Sequence, residues 1–255
     1  RGEYEQSIHR AYQHLTENLE KVTEHQSGKP VVAVCGHTHI DMAWLWRLNH
    51  TTDKGARSFS TVLHLMEQYP EYKFSQSSPL IYEMVREKYP ELFERIREKI
   101  REGRWEITGG MWVEPDTNIP SGESLVRQIL LGKQYIKKEF GKDTSVLWLP
   151  DVFGYSWVLP QILKKSGIRL FWTNKMSWNQ YNRIPYDTFR WRGLDGTELL
   201  TQLGTCPEKD VTWGSTYNGV IAPWEVKGTW DRYQQKDINQ EVLMPFGDRK
   251  STRLN

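Results

Sequence analysis

Apolar side chains recur along the chain at two spacings, and the change from one to the other outlines the elements. Residues 31–35, Val-Val-Ala-Val-Cys, form an unbroken run of small and β-branched side chains, the pattern of a strand buried in a parallel sheet. Before it, Tyr12, Leu15, Leu19 and Val22 keep helical spacing and predict a polar surface helix over 4–25, followed by a loop at 27–30. After it, Phe59, Val62, Leu63 and Met66 predict a helix over 53–69, and the Lys-Phe-Ser alternation a short strand over 72–75. The stretch 79–102 carries an amphipathic pattern that Pro90 splits into two helices. A strand at 105–108 ends in Gly109-Gly110. Ser121 is placed to cap a helix that runs to Phe140 and stops at Gly141. Strands at 146–149 and 169–173 flank a helix at 157–166. Residues 189–203 read as a hairpin turned at Leu194-Asp195-Gly196, and 242–244 as a late strand. Residues 205–240 show no clear period. Strand, polar loop and helix repeat in this order, so the fold class is α/β with βαβ units around a parallel sheet or barrel.

Length and composition narrow the picture. At 255 residues the chain suits one α/β barrel domain, whose typical size is about 250 residues. A net charge of +2 points to no nucleic-acid partner, and no run of about 18 apolar residues predicts a membrane span. Cys35 and Cys206 make no disulfide framework; Cys35, in an apolar strand, reads as a buried thiol in a reducing compartment, so the expected location is cytoplasmic. Twelve tryptophans and twelve tyrosines fit either a filled aromatic core or a carbohydrate cleft. The chain opens on Arg1, and residues 1–30 read as a helical lead-in from a missing upstream segment.

The polar residues behind the strands carry the candidate chemistry. His37, His39 and Asp41 alternate just past the first strand; in extended backbone, alternate side chains share a side. Asp116, from the loop after 105–108 that also holds Glu114, joins them in one expected constellation, with Asp151 just past 146–149, Lys175 after 169–173 and Asp248 after the last strand. Active sites of α/β folds form at that end of the sheet. Imidazole and carboxylate suit zinc, and two carboxylates suit a retaining glycosidase. The plain reading is a strand end with solvated histidines, core tryptophans and a turn-forming Asp151.

Three ordered segments also resemble a known family. Gly36-His37-Thr38-His39-Ile40-Asp41-Met42-Ala43-Trp44-Leu45-Trp46 is similar to the first metal motif of the family 38 α-mannosidases. Leu149-Pro150-Asp151-Val152-Phe153-Gly154-Tyr155-Ser156 is similar to their nucleophile motif. Gly109-Gly110-Met111-Trp112-Val113-Glu114 and residues 120–128 match intervening segments of the cytosolic and bacterial branch. The likeness runs from about residue 31 to 205.

The resemblance implies a (β/α)7-type barrel, incomplete in this chain, over 31–248, with 249–255 a non-native tail. It implies a metal-dependent retaining hydrolase of terminal α-D-mannosides, acting on mannose-containing oligosaccharides with zinc, or cobalt in its place. His39, Asp41 and Asp151 are the implied metal ligands, Asp151 also the nucleophile and Asp248 the acid/base. Trp44, Phe153 and Lys175 are the implied substrate contacts, with His37 outside the ligand set. The family's fourth ligand is a later histidine, yet all seven histidines here lie at or before His64, so the expected activity of this chain alone is weak or nil. The tail after Asp248 also departs from the family's glycine-rich continuation.

Two other readings stand beside it. A metal-dependent amidohydrolase or deacetylase also uses His-x-His at a first strand end, but needs further histidines at later ones. A sugar-binding module accounts for the tryptophans and not for the strand-end acids. The sequence is compatible with a homo-oligomer.

Overall fold

The computed structural model describes residues 2–24 and 29–247, with backbone alone at 19–24. Its helices are α1 (Gly2–Glu24), α2 (Leu48–Gln68), α3 (Pro79–Lys88), α4 (Pro90–Arg101), α5 (Gly122–Phe140), α6 (Leu159–Lys165) and α7 (Pro223–Arg232). Its strands are β1 (Val31–His37), β2 (Phe74–Gln76), β3 (Trp105–Ile107), β4 (Val146–Leu149), β5 (Leu170–Thr173), β6 (Thr188–Arg192), β7 (Glu198–Leu203), β8 (Pro207–Glu208), β9 (Val211–Ser215) and β10 (Glu241–Phe246).

Local chemistry sets the helix ends. Ser121 Oγ accepts the Ser124 N–H, and Gly141 takes a left-handed φ of +63° to close α5. Pro90 offers no N–H and restricts the residue before it, so α3 stops at Tyr89 and α4 starts afresh. The Glu225 carboxylate accepts the N–H groups of Val220 and Ala222 and anchors the start of α7. This helix and the β8–β9 hairpin fill the stretch whose sequence shows no period.

The strands form two four-stranded sheets. One, ordered β10-β1-β2-β3, is all parallel. The other, ordered β4-β5-β7-β6, is parallel except for β6, which pairs with β7 as the expected hairpin. The Gly109 N–H donates to the Val146 carbonyl at 3.0 Å and links the end of β3 to β4.

Each sheet packs helices on one face. Phe74 and Trp105 meet Phe59, Leu63, Ile81, Tyr82 and Ile96 from α2, α3 and α4. Leu147, Leu149 and Phe171 meet Ile129, Leu159 and Leu163 from α5 and α6. The intervening residues of β4 and β5, Trp148 and Trp172, point the other way, as strand pleating requires. Their rings stack at 3.9 Å and pack with Leu243 of β10. Trp148 and Trp172 of one sheet thus pack against Leu243 of the other.

The first strand departs from expectation. Val31 and Val34 are 50% and 42% exposed, Cys35 is half-buried, and burial starts only at Gly36. Pairing with β2 begins at Gly36, so the first five residues have a neighbouring strand on the β10 side alone. Apolar composition cannot report that coverage. α1 keeps the expected exposed surface through residue 15. Among the described residues, no helix is long and apolar enough to cross a membrane.

Candidate metal and catalytic site

The site begins where β1 ends. His37, the last residue of β1, turns into the interior. Its Nδ1–H donates to the Ser75 carbonyl at 2.9 Å, and its Nε2 accepts the Trp148 indole N–H at 3.2 Å. Burial holds its pKa down to about 4, against the opposing pull of Glu114. The imidazole is neutral with both nitrogens engaged, and it also lies with His39 and Glu114 in a second group whose donor atoms fall within 4.8 Å of one another.

His39 is the centre of the cluster. Its Nε2 lies 3.2 Å from Asp41 Oδ1 and 3.5 Å from Asp151 Oδ2, and its Nδ1 lies 3.0 Å from Glu114 Oε2. Burial disfavours the imidazolium, but the Glu114 carboxylate and then that of Asp41 outweigh it and push the pKa up to about 10. The Tyr217 ring meets the imidazole edge to face at 5.4 Å.

Asp151 sits on the turn after β4, its side chain 11% exposed. Tyr155 braces this turn: its hydroxyl contacts the carbonyls of Leu149 and Val152 and the hydroxyl of Thr173. Thr117 Oγ1 donates to the Gly154 carbonyl and ties the turn to the loop after β3. On the side away from His39, Lys175 Nζ lies 3.0 Å from Asp151 Oδ1. The lysine side chain is only 2% exposed and packs among rings, its Nζ 4.0 Å from the centre of Trp178 and 5.0 Å from that of Phe153. Asn174, on the preceding residue, is pinned to Ser215 by two hydrogen bonds, which hold the Lys175–Ser177 turn in place.

The structure thus brings His39, Asp41, Asp151 and Lys175 together. Phe153 is 72% exposed beside Lys175, and Trp44 is half exposed on the loop after Asp41, edge to face with Trp46. Such rings suit the C–H face of a sugar. Asp248 lies outside the described residues. Asp116 is not in the cluster: its carboxylate accepts the N–H groups of Asn118 and Ile119 and closes an exposed turn. Glu114 takes the place beside His39 instead, on a chain redirected by Gly109 and Gly110, both at positive φ. Sequence signals for Glu114 were limited to its loop; those for Trp178 and Tyr217 were absent.

One imidazole nitrogen and two carboxylates, from His39, Asp41 and Asp151, offer donor atoms within 4.8 Å of one another. This mixed nitrogen and oxygen set fits a divalent metal such as zinc. The model of the glycosyl hydrolases family 38 N-terminal domain matches residues 29–254. The chain belongs to glycosyl hydrolase family 38. Within that family it is 49% identical over 213 residues to α-mannosidase G of Dictyostelium discoideum, covering 84% of this chain and 19% of the relative. It is 51% identical over 165 residues to human α-mannosidase 2C1, covering 65% of this chain and 16% of that protein. Its fold is similar to that of an α-mannosidase from Enterococcus faecalis V583, with a TM-score of 0.67 and 22% identity over 87% of this chain and 25% of that one. The chain spans under a fifth of the length of those two curated relatives.

Proposed function

We propose that this family 38 chain carries the nucleophile half of a metal-dependent retaining α-mannosidase acting on terminal α-D-mannosides of oligosaccharides. One observation supports the reading most: Asp151 shares a 4.8 Å cluster with His39 and Asp41 while Lys175 holds its other oxygen. Names of the relatives add the substrate class.

In this reading His39, Asp41 and Asp151 hold zinc, or cobalt in its place. When bound, the cation supplies Lewis acidity and orientation to the sugar hydroxyls. Asp151 attacks the anomeric carbon, forming the bond to its carboxylate oxygen as the glycosidic bond breaks. Lys175 steadies the attacking carboxylate, and Trp44 and Phe153 present flat faces to the mannose ring. Asp248 gives the leaving oxygen its proton and then takes one from a water that bonds to the anomeric carbon as the bond to Asp151 breaks, about 5–5.5 Å being the carboxyl separation for retention. We also propose that the two sheets are walls of one (β/α)7-type barrel, for which the Gly109–Val146 hydrogen bond and the packing of Trp148 and Trp172 against Leu243 speak. With no histidine beyond His64 to act as a fourth ligand, this chain alone holds the metal weakly and turns over slowly or not at all. A reducing, cytoplasmic setting fits the two free thiols.

The test is zinc content and aryl α-mannoside cleavage, measured on the chain and on a form extended to the length of its relatives, each with and without Asp41→Ala. About one zinc per extended molecule, lost with Asp41→Ala together with cleavage, supports the reading. An extended form that binds no zinc and cleaves no mannoside overturns it.

A further inference from the structure

We infer that Glu114 is a positioning residue that fixes the His39 ring, turning Nε2 to the metal side. This rests on the proposed metal role of His39, Asp41 and Asp151. Glu114 Oε2 lies 3.0 Å from His39 Nδ1, while Nε2, on the opposite edge of the ring, faces Asp41 and Asp151. An imidazole cannot turn both nitrogens to one cation, so Glu114 and the cation divide the ring between them. That geometry also excludes Glu114 as a further ligand through this contact. The carboxylate is itself held: Ser77 Oγ donates to its Oε1 at 2.5 Å. Ser77 follows β2 and Glu114 follows β3, so two neighbouring strands hold the acceptor while the histidine comes from a third.

The approach of Nδ1 to Oε2 is close but off the hydrogen-bond line, and neither atom has another hydrogen-bond partner among the described residues. No other described group competes for the Nδ1–H. A carboxylate behind a ligating histidine selects the tautomer, fixes the ring plane and raises the basicity of the metal-binding nitrogen.

Zinc affinity is measured by competition with a chromogenic chelator on the form extended to the length of its relatives and on its Glu114→Ala and Glu114→Gln variants. Imidazole N–H signals of the zinc-loaded proteins are read by NMR. Glu114→Ala is expected to weaken zinc binding about 10–100-fold and to lose the protected Nδ1–H signal. Glu114→Gln keeps an acceptor oxygen, so it retains the signal and loses less affinity than Glu114→Ala. Wild-type affinity in Glu114→Ala overturns the inference, as does an equal loss in both variants with the Nδ1–H signal unchanged. If Glu114→Ala does not fold, Glu114→Gln decides alone: a lost Nδ1–H signal there is the contrary result. If the unaltered extended form takes up no zinc, the metal reading falls first and this inference falls with it.

Discussion

Replacing Lys175 with methionine removes the charge that faces the proposed nucleophile while keeping most of the side-chain volume. The Nζ–Oδ1 distance of 3.0 Å gives an attraction of about 5.5 kcal/mol at an effective dielectric of about 20. Desolvation of both groups offsets much of this in the intact pair. The variant keeps the desolvated Asp151 and loses the attraction, a situation that costs about 3–5 kcal/mol in buried pairs. Two features set the expectation near the lower end. Asp151 retains its contact with His39 at 3.5 Å, and methionine continues to pack on the Trp178 ring that Lys175 covers. Loss of the cation–π contact adds about 0.5–2 kcal/mol. Lys175→Met should therefore destabilise the chain by about 3.5–5 kcal/mol. Urea unfolding followed by tryptophan fluorescence measures this as a lower midpoint at unchanged slope. A double-mutant cycle with Asp151→Asn isolates the pair, and the double variant should be more stable than the sum of the single losses by about 2 kcal/mol. A loss below about 1 kcal/mol with no coupling would refute the claim that the pair is buried and mutually dependent.

Other outcomes follow from the same geometry. His39, raised to about 10 in the metal-free chain, must release a proton before Nε2 binds a cation, so zinc affinity should rise about tenfold per pH unit between pH 6.5 and 9. Affinity independent of pH over that range would count against His39 as a ligand. The same raised pKa stabilises the metal-free fold fully below about pH 6.5, and that contribution fades as pH climbs toward about 10. His37 carries the opposite sign: its folded pKa of about 4 contributes stability above about pH 6.5, lost as pH falls toward about 4. NMR titration of the two ring signals separates them. Gly132→Ala places a Cβ 2.3 Å from the Gly110 carbonyl oxygen and 2.7 Å from the Met111 carbonyl carbon, both backbone. Overpacking of about 2–3 kcal/mol should exceed the helical gain of about 1 kcal/mol from alanine; a stabilised variant in thermal melts would show that α5 does not lie this close to the loop.

The order of strands and helices was legible because each carries its own period and its own stop, as at Ser121, Gly141 and Pro90. The core of the site was legible too, since His39, Asp41 and Asp151 lie within a few residues of strand ends whose geometry is generic. What escaped depends on contacts between segments. The exposure of Val31 and Val34 reflects where β2 begins to pair, which their own apolar character does not encode. A linear reading groups Asp116, not Glu114, with His39; a pair of left-handed glycines and the turn closed by Asp116 send Glu114 to His39 and Asp116 to solvent. Trp178 and Tyr217 enter from irregular segments where no period marks an inward face.

The central claim is that Asp151 bonds to a mannosyl group during turnover. The most direct measurement incubates the extended form with a 5-fluoro-mannosyl fluoride and maps the modified peptide by tandem mass spectrometry. A single mannosyl adduct on Asp151, absent in Asp151→Asn, is the predicted result. Turnover of the mannoside with no adduct, or with the adduct on another carboxylate, contradicts it.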